Sequence, residues 1–446
     1  MDFYNMAKSL KDEYLSDLKE LIAIKSIKDT HSISDNAPFG KGCKQAIDFM
    51  ISLAKRDGFK FTNYDGYALA IEYGSGDELI GVLAHLDVVP AKDWLDDPFS
   101  LKLIDSYVVG RGIIDDKGPA LAAYYSMKIL KKYGIKLNKR VILILGVDEE
   151  NDMACIDYYK SHGEIPKYGF SPDADFPLIY GEKGIATIKL SIKNDYIKFI
   201  DAGERYNVVI GDAQFTLKDN TVIDKIETND SVSINGDYIN VKGVSAHACY
   251  PWKGKNAGVK ALFIIANLYS DTSLLKLAEM LLDWTGEKMD LNVEGEHLKE
   301  LTQSLGVIEL KDNVLNLYIN IRYPENITSQ QILAKFKKLE LDNVIDVEVL
   351  QDSKPKLVDP NSKFVKVLLE AYGKYSNNKH SKAYTIGGGT YARKFDNFVG
   401  FGPVFTNAKD ERIGGIHQVN EGMKFDDLLK CIAIYADGIL KLVNEV

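Results

Sequence analysis

The chain has 446 residues, 46% of them apolar, and its 64 acidic side chains outnumber 55 basic ones for a formal net charge of −9. That balance, with no basic stripe interleaved with aromatics, argues against nucleic acid as a partner. No apolar run approaches membrane-spanning length, the longest being short pieces such as Ala261–Ala266, so no membrane partner is expected either.

The N-terminus, Met1 to Met6, leads into charged helix-like sequence without the basic-then-apolar order of a signal peptide. Cys43, Cys155, Cys249 and Cys431 lie far apart with no CxxC pair and read as free thiols. A cytoplasmic protein with room for two or three domains is the expectation.

In chain order, amphipathic spacing predicts helices over Met6 to Ile24 and Lys44 to Arg56, followed by a strand at Ile80–Ala84. A helix from Pro119 to Tyr133 opens on proline and stops at Gly134, ahead of the apolar strand Val141–Leu145. This is α/β alternation. From about Gly184 the texture changes to alternating strands, Ile185–Ile192 and Leu315–Ile321, with helices near Asn256 to Tyr269 and Gln330 to Leu339. From about Phe364, a helix over Val365 to Tyr372 leads into a glycine-rich loop and a last helix, Phe425 to Val443.

Chemistry-bearing residues recur on loops just after strands, where open α/β sheets carry their sites. His85 and Asp87 follow the first strand at i, i+2 spacing, suiting a metal-ligating imidazole backed by a carboxylate. Gly110–Gly118 presents Asp115 and Asp116 at a helix start, where they also suit a cap and a first-turn acid. Asp148-Glu149-Glu150 ends the apolar strand; in extended chain the two glutamates face opposite ways, so one can meet a metal and the other a substrate. Asp173, in Ser171-Pro172-Asp173, and His417, in Gly414-Gly415-Ile416-His417, complete the series. Turn chemistry alone would also account for Asp173, and Glu421 could simply open the last helix.

These five motifs, in this order, resemble the co-catalytic metallopeptidases of the aminoacylase and carboxypeptidase G2 group. Within it they are most similar to the PepV-type dipeptidases, because Ser-Pro-Asp precedes Gly181-Glu182-Lys183-Gly184. The resemblance implies an α/β catalytic domain, a central mixed sheet flanked by helices, built from residues 1–184 and 379–446. An α+β lid for substrate binding would be inserted as residues 185–378. It implies two divalent metal ions about 3.5 to 4 Å apart: zinc first, with manganese or cobalt as alternatives. Asp115 would bridge them, His85 and Asp173 completing one site and Glu150 and His417 the other. The Asp115-Asp116 peptide bond would be cis.

In the same reading Glu149 is the general base toward a metal-bridging water, and Asp87 supports catalysis from behind His85. His247, in Gly243-Val244-Ser245-Ala246-His247, would stabilise the oxyanion, and Arg322 would bind the substrate's C-terminal carboxylate. Asn207 and the loop Gly388-Gly389-Thr390 would also contact substrate, although Ile210-Gly211-Asp212-Ala213 departs from the family pattern after Asn207. A small peptide cleaved by a monomer, with lid closure near Gly184 and Asn378, follows. The alternatives are a deacylase acting on N-acyl amino acids and a metal-binding homologue without activity.

Overall fold

The apolar runs near residues 80 and 141 lie side by side in a computed structural model that describes residues 1–339, 341–376, 378–405 and 410–446. The chain divides into two units, the first comprising Met1–Tyr180, Val358–Tyr384 and Thr390–Val446, the second Gly181–Leu357 and Thr385–Gly389.

Six strands of the first unit form a mixed sheet: β1 (Lys60–Tyr64), β2 (Ala68–Tyr73), β3 (Leu79–His85), β4 (Arg140–Gly146), β5 (Tyr168–Ser171) and β6 (Phe398–Gly400). Their order is β1-β2-β4-β3-β5-β6, with β1, β2 and β4 antiparallel in turn and β4, β3, β5 and β6 parallel. Burial on both faces explains why β3 and β4 are uninterrupted apolar runs rather than alternating ones. His85 pairs with Gly146 and Val82 with Phe170, so β3, β4 and β5 end together at one edge of the sheet.

The helices of this unit are α1 (Phe3–Lys8), α2 (Lys11–Ala23), α3 (Lys41–Arg56), α4 (Lys117–Lys132), α5 (Ala154–His162), α6 (Lys363–Ser376) and α7 (Phe425–Glu445). The single helix expected from Met6 to Ile24 is two, because Ser9 Oγ donates to Met6 O at 2.7 Å and closes the first before Leu10 starts the second. α4 is buried from Lys117 through Leu130 and packs against α7 and α2. A small antiparallel ribbon of Lys102–Ile104, Tyr107–Val109 and Gly422–Lys424 precedes α7.

The second unit is an eight-stranded antiparallel sheet in the order 232–235, 238–242, 212–217, 197–202, 302–311, 314–323, 184–193, 344–353. Helices Ala257–Tyr269, Thr272–Leu282 and Ser329–Phe336 share its core. The α/β class with an inserted α+β unit is thus as the sequence predicts. Its far boundary differs from residue 378, since the second unit is left at Leu357 and α6 belongs to the first. The cause is packing: Phe364, Val365, Val367, Leu368 and Tyr372 of α6 join the first unit's core.

Gly146, which ends β4, is required by close approach, since a Cβ there would overlap the buried Tyr391 hydroxyl and lie 2.9 Å from Cys155 Sγ. Gly146→Ala is therefore expected to destabilise by about 1–3 kcal/mol, the usual cost of overpacking. Adding Tyr391→Phe should restore part of the lost melting temperature, and no recovery in thermal denaturation would disprove the stated clash.

Candidate metal centre

Three of the five motifs converge because β3, β4 and β5 run parallel and stop in register. His85 is the last residue of β3, Glu149 and Glu150 follow β4, and Asp173 follows β5. Asp115 arrives from the turn before α4, its peptide bond to Asp116 is cis, and Asp116 is the N-cap of that helix. His417 comes from the loop ahead of α7, its φ of 64° lying in the left-handed region.

The Asp115 carboxylate is shared between two imidazoles. Its Oδ1 lies 2.9 Å from His85 Nε2 and its Oδ2 2.9 Å from His417 Nε2. Asp173 Oδ1 is 4.0 Å from His85 Nε2, and Glu150 Oε2 is 3.1 Å from His417 Nε2. Two donor groups result, His85 with Asp115 and Asp173, and Asp115 with Glu150 and His417, each gathering its ligand atoms within 4.8 Å. Glu149 is different: its carboxylate pairs with none of the described residues.

His85 is fully buried, whereas the His417 side chain is 48% exposed. The other ring nitrogen of His85, Nδ1, lies 3.0 Å from the Asp87 carbonyl and 3.4 Å from its carboxylate. That carboxylate also accepts the amides of Glu149 and Glu150, both at 3.1 Å. Asp87 therefore orients the His85 imidazole and pins the glutamate turn at once, a second contact that i, i+2 spacing alone does not reveal. Asp148 anchors the same turn, capping Ala154 N at 3.1 Å and meeting Lys28 Nζ at 2.8 Å.

Burial raises the carboxyl pKa of Asp173 well above its ordinary value, and the charges of Asp115 and Glu149 add to the effect. Burial pushes Glu149 up to about 8, reinforced by Asp115 and Glu150. For Asp115, burial is outweighed by the His417 and His85 imidazoles, which hold it below the usual range. Desolvation opposes charge on His417 as well, yet Asp115 and Glu150 push it up to about 10. His85 is raised by Asp115 and Asp87 against the same opposition. The two imidazoles thus favour charge on Asp115, and Asp115 in turn favours protonation of both rings. The donor set, imidazole plus carboxylate oxygen, fits divalent ions of the zinc, manganese or cobalt kind.

Sequence reasoning missed one partner of this centre. Glu421 does not open α7, which begins at Phe425; it is fully buried, and its Oε1 accepts the amides of Gly112, Ile114 and Asp115 at 3.1, 2.8 and 3.2 Å. Its Oε2 meets Arg111 at 2.5 Å. The available signal was an acid four residues after His417, directly before Gly422 in a glycine-bracketed loop.

Within the second unit the structure brings five of the remaining predicted residues into one neighbourhood. Val208 pairs with His247 as an antiparallel bridge and Asn207 O accepts Ala248 N at 2.9 Å, so Asn207 and His247 lie on adjacent segments. His247 Nδ1 accepts Cys249 N–H at 3.2 Å, which leaves the ring proton on Nε2; desolvation and then Arg322 lower its pKa and keep the ring neutral. Arg322, buried, donates to Asn320 Oδ1 at 2.7 Å and to Gly387 O at 3.3 Å, beside Gly388 and Gly389. Thr390 belongs to the first unit, where its Oγ1 accepts Ala392 N at 3.3 Å and opens a short 3-10 turn.

The family model described as peptidase family M20/M25/M40 matches residues 81–441. The chain is 36% identical over 466 residues to a Staphylococcus epidermidis protein named "Putative dipeptidase", with 98% of each chain covered. A similarly named protein of Staphylococcus haemolyticus is 36% identical over 468 residues, with 97% of each covered. The solved structure of the dipeptidase Dug1p from Saccharomyces cerevisiae shares the fold at a TM-score of 0.59 and 17% identity, covering 98% of both chains.

A cation at this centre would take the ring nitrogens that now face Asp115 and Glu150, so binding should release protons from the two imidazoles. Zn2+ or Mn2+ added to chelator-stripped protein should raise its melting temperature, and apparent affinity should increase from pH 6 to pH 8. Occupancy at one hundred times Kd corresponds to about 2.7 kcal/mol. Calorimetric titration in buffers of differing ionisation enthalpy would count the protons; affinity independent of pH would refute the assignment.

Proposed function

The chain belongs to peptidase family M20/M25/M40, and on that premise we propose that this metallopeptidase hydrolyses dipeptides, with Glu149 as the general base. The observation that carries the proposal is the division among the carboxylates. Asp115 is committed to two imidazoles and Glu150 to His417, whereas Glu149, immediately beside Glu150, pairs with none of the described residues.

His85, Asp115 and Asp173 would hold one divalent ion and Asp115, Glu150 and His417 the other, zinc being the first choice on donor chemistry. When bound, the ions would acidify the attacking water and polarise the scissile carbonyl. Glu149 would take the proton of that water and later deliver it to the leaving amine. Its raised pKa in the protein alone reflects burial among carboxylates, a condition that cations would relieve. Asp87, through the Glu149 and Glu150 amides, would keep the base from turning away.

The second unit would recognise the substrate. A neutral His247 with its proton on Nε2 is a hydrogen-bond donor, as an oxyanion requires. The Arg322 guanidinium, held by Asn320 and Gly387, suits a C-terminal carboxylate, and Gly388, Gly389, Thr390 and Asn207 would complete the substrate contacts. Four free, buried cysteines among the described residues suit a reducing cytoplasm.

Incubation of metal-loaded protein with a dipeptide panel, alongside the same peptides N-acetylated, tests the reading. Free dipeptides should be cleaved faster; preference for the acylated forms would indicate a deacylase, and inertness to both a homologue without activity. Glu149→Gln should retain both ions while kcat falls by about 10²–10⁴-fold, the usual contribution of a positioned base. Near wild-type turnover in that variant would remove Glu149 from the mechanism. We also propose a monomer, and light scattering should return the mass of one chain, 49.8 kDa.

A further inference from the structure

We propose that Arg111 and Glu421 form a clamp, made of positioning residues, that joins the Asp115 turn to the His417 loop and sets the affinity of the more exposed metal site. The inference rests on the ligand assignment proposed above and extends it to two residues outside the donor groups.

The geometry has three parts. First, Glu421 Oε1 gathers the amides of Gly112, Ile114 and Asp115, so a single carboxylate fixes the backbone that carries the shared ligand. Second, Arg111 bridges outward: one terminal nitrogen meets Glu421 Oε2 at 2.5 Å and the other donates to the His417 carbonyl at 3.3 Å. Third, the backbones are stitched together where Gly110 N donates to Glu421 O at 2.9 Å, and Gly422 pairs with Val109 in the ribbon. Both charged side chains are buried, 2% exposed for Arg111 and fully buried for Glu421.

A buried ion pair is a costly way to hold two loops together, since apolar side chains of similar volume often serve stability as well or better. What an apolar pair cannot do is accept three amides around Asp115 and donate to His417 O. The clamp's effect should be unequal at the two sites. His85 sits on a central strand and its amide donates to Oδ2 of Asp116, the N-cap residue of α4, at 3.1 Å, so the His85 side of Asp115 has its own anchor. His417 lies on a half-exposed loop in left-handed backbone conformation, and the clamp ties that loop to the Asp115 turn.

The test is calorimetric titration of metal-free protein with Zn2+, with the melting temperature of the metal-free form as a control for folding. Wild type should bind two ions and His417→Ala should lose the weaker one. Glu421→Gln should weaken that same ion by about 10–100-fold, the range for residues that orient ligands, and leave the tighter ion unchanged. Should Glu421→Gln fail to fold, the charge-matched double variant Arg111→Met/Glu421→Gln avoids an unpaired buried arginine, and Arg111→Lys keeps the charge but not the fork that reaches Glu421 and His417 O together. Each should show the same selective loss. Two ions bound with wild-type affinity in a folded clamp variant, or both weakened equally, would overturn the clamp. If His417→Ala binds both ions as wild type does, the ligand assignment fails and the clamp fails with it.

Discussion

Crowding of carboxylates is the constraint on which the rest of the first unit depends. Asp115, Asp173, Glu149 and Glu150 share a largely desolvated pocket with two imidazoles, and the buried Asp116 lies directly behind them. At 4 Å, two like charges repel by about 4 kcal/mol at an effective dielectric of 20, so several such pairs approach the whole stability of a domain. The His85 and His417 imidazoles, each set against Asp115, ease part of this cost. Cations would meet it by direct neutralisation, and the same chemistry would then be available for hydrolysis.

The fold contributes by spending backbone amides on acids. Asp87 takes two amides from the glutamate turn, Glu421 three from the Asp115 turn, Asp148 one from the start of α5, and Asp116 one from His85. None of these four acids belongs to the donor groups, yet each fixes the backbone carrying a residue that does, or the adjoining turn. Parallel strands make this possible, because β3, β4 and β5 end at one level and present their following loops to each other. An antiparallel arrangement of the same three strands would send one of these loops to the opposite edge.

Much of this was legible in the sequence, and the reasons are specific. β3 and β4 were readable as unbroken apolar runs because a strand buried on both faces has no polar side to interrupt it. The acids and histidines after them stood out for their position at strand ends. Glu421 was not legible, since its function lies 306 to 309 residues away along the chain, in the amides of the Asp115 turn, and local context offers only a loop before a helix. The boundary near residue 378 was misplaced for a related reason. The amphipathic pattern of α6 shows that it buries one face but does not show against which unit. The break at Ser9 and Leu10 depends on one side-chain hydrogen bond that periodicity cannot register.

The adjacent glutamates illustrate how a turn can divide labour without dividing sequence. Asp87 grips both amides with its two carboxylate oxygens, so the Glu149 and Glu150 backbones are held equally well and the distinction must arise in the side chains. Glu150 meets His417, which ties it to the donor group shared with Asp115, while Glu149 is left among charges with no cationic partner of its own among the described residues. A carboxyl group fixed at the backbone, desolvated and without an ion-pair partner is costly for stability, and that cost supports the proton-transfer role proposed for it. As the proposed base, Glu149 would have no imidazole contact to break before accepting a proton.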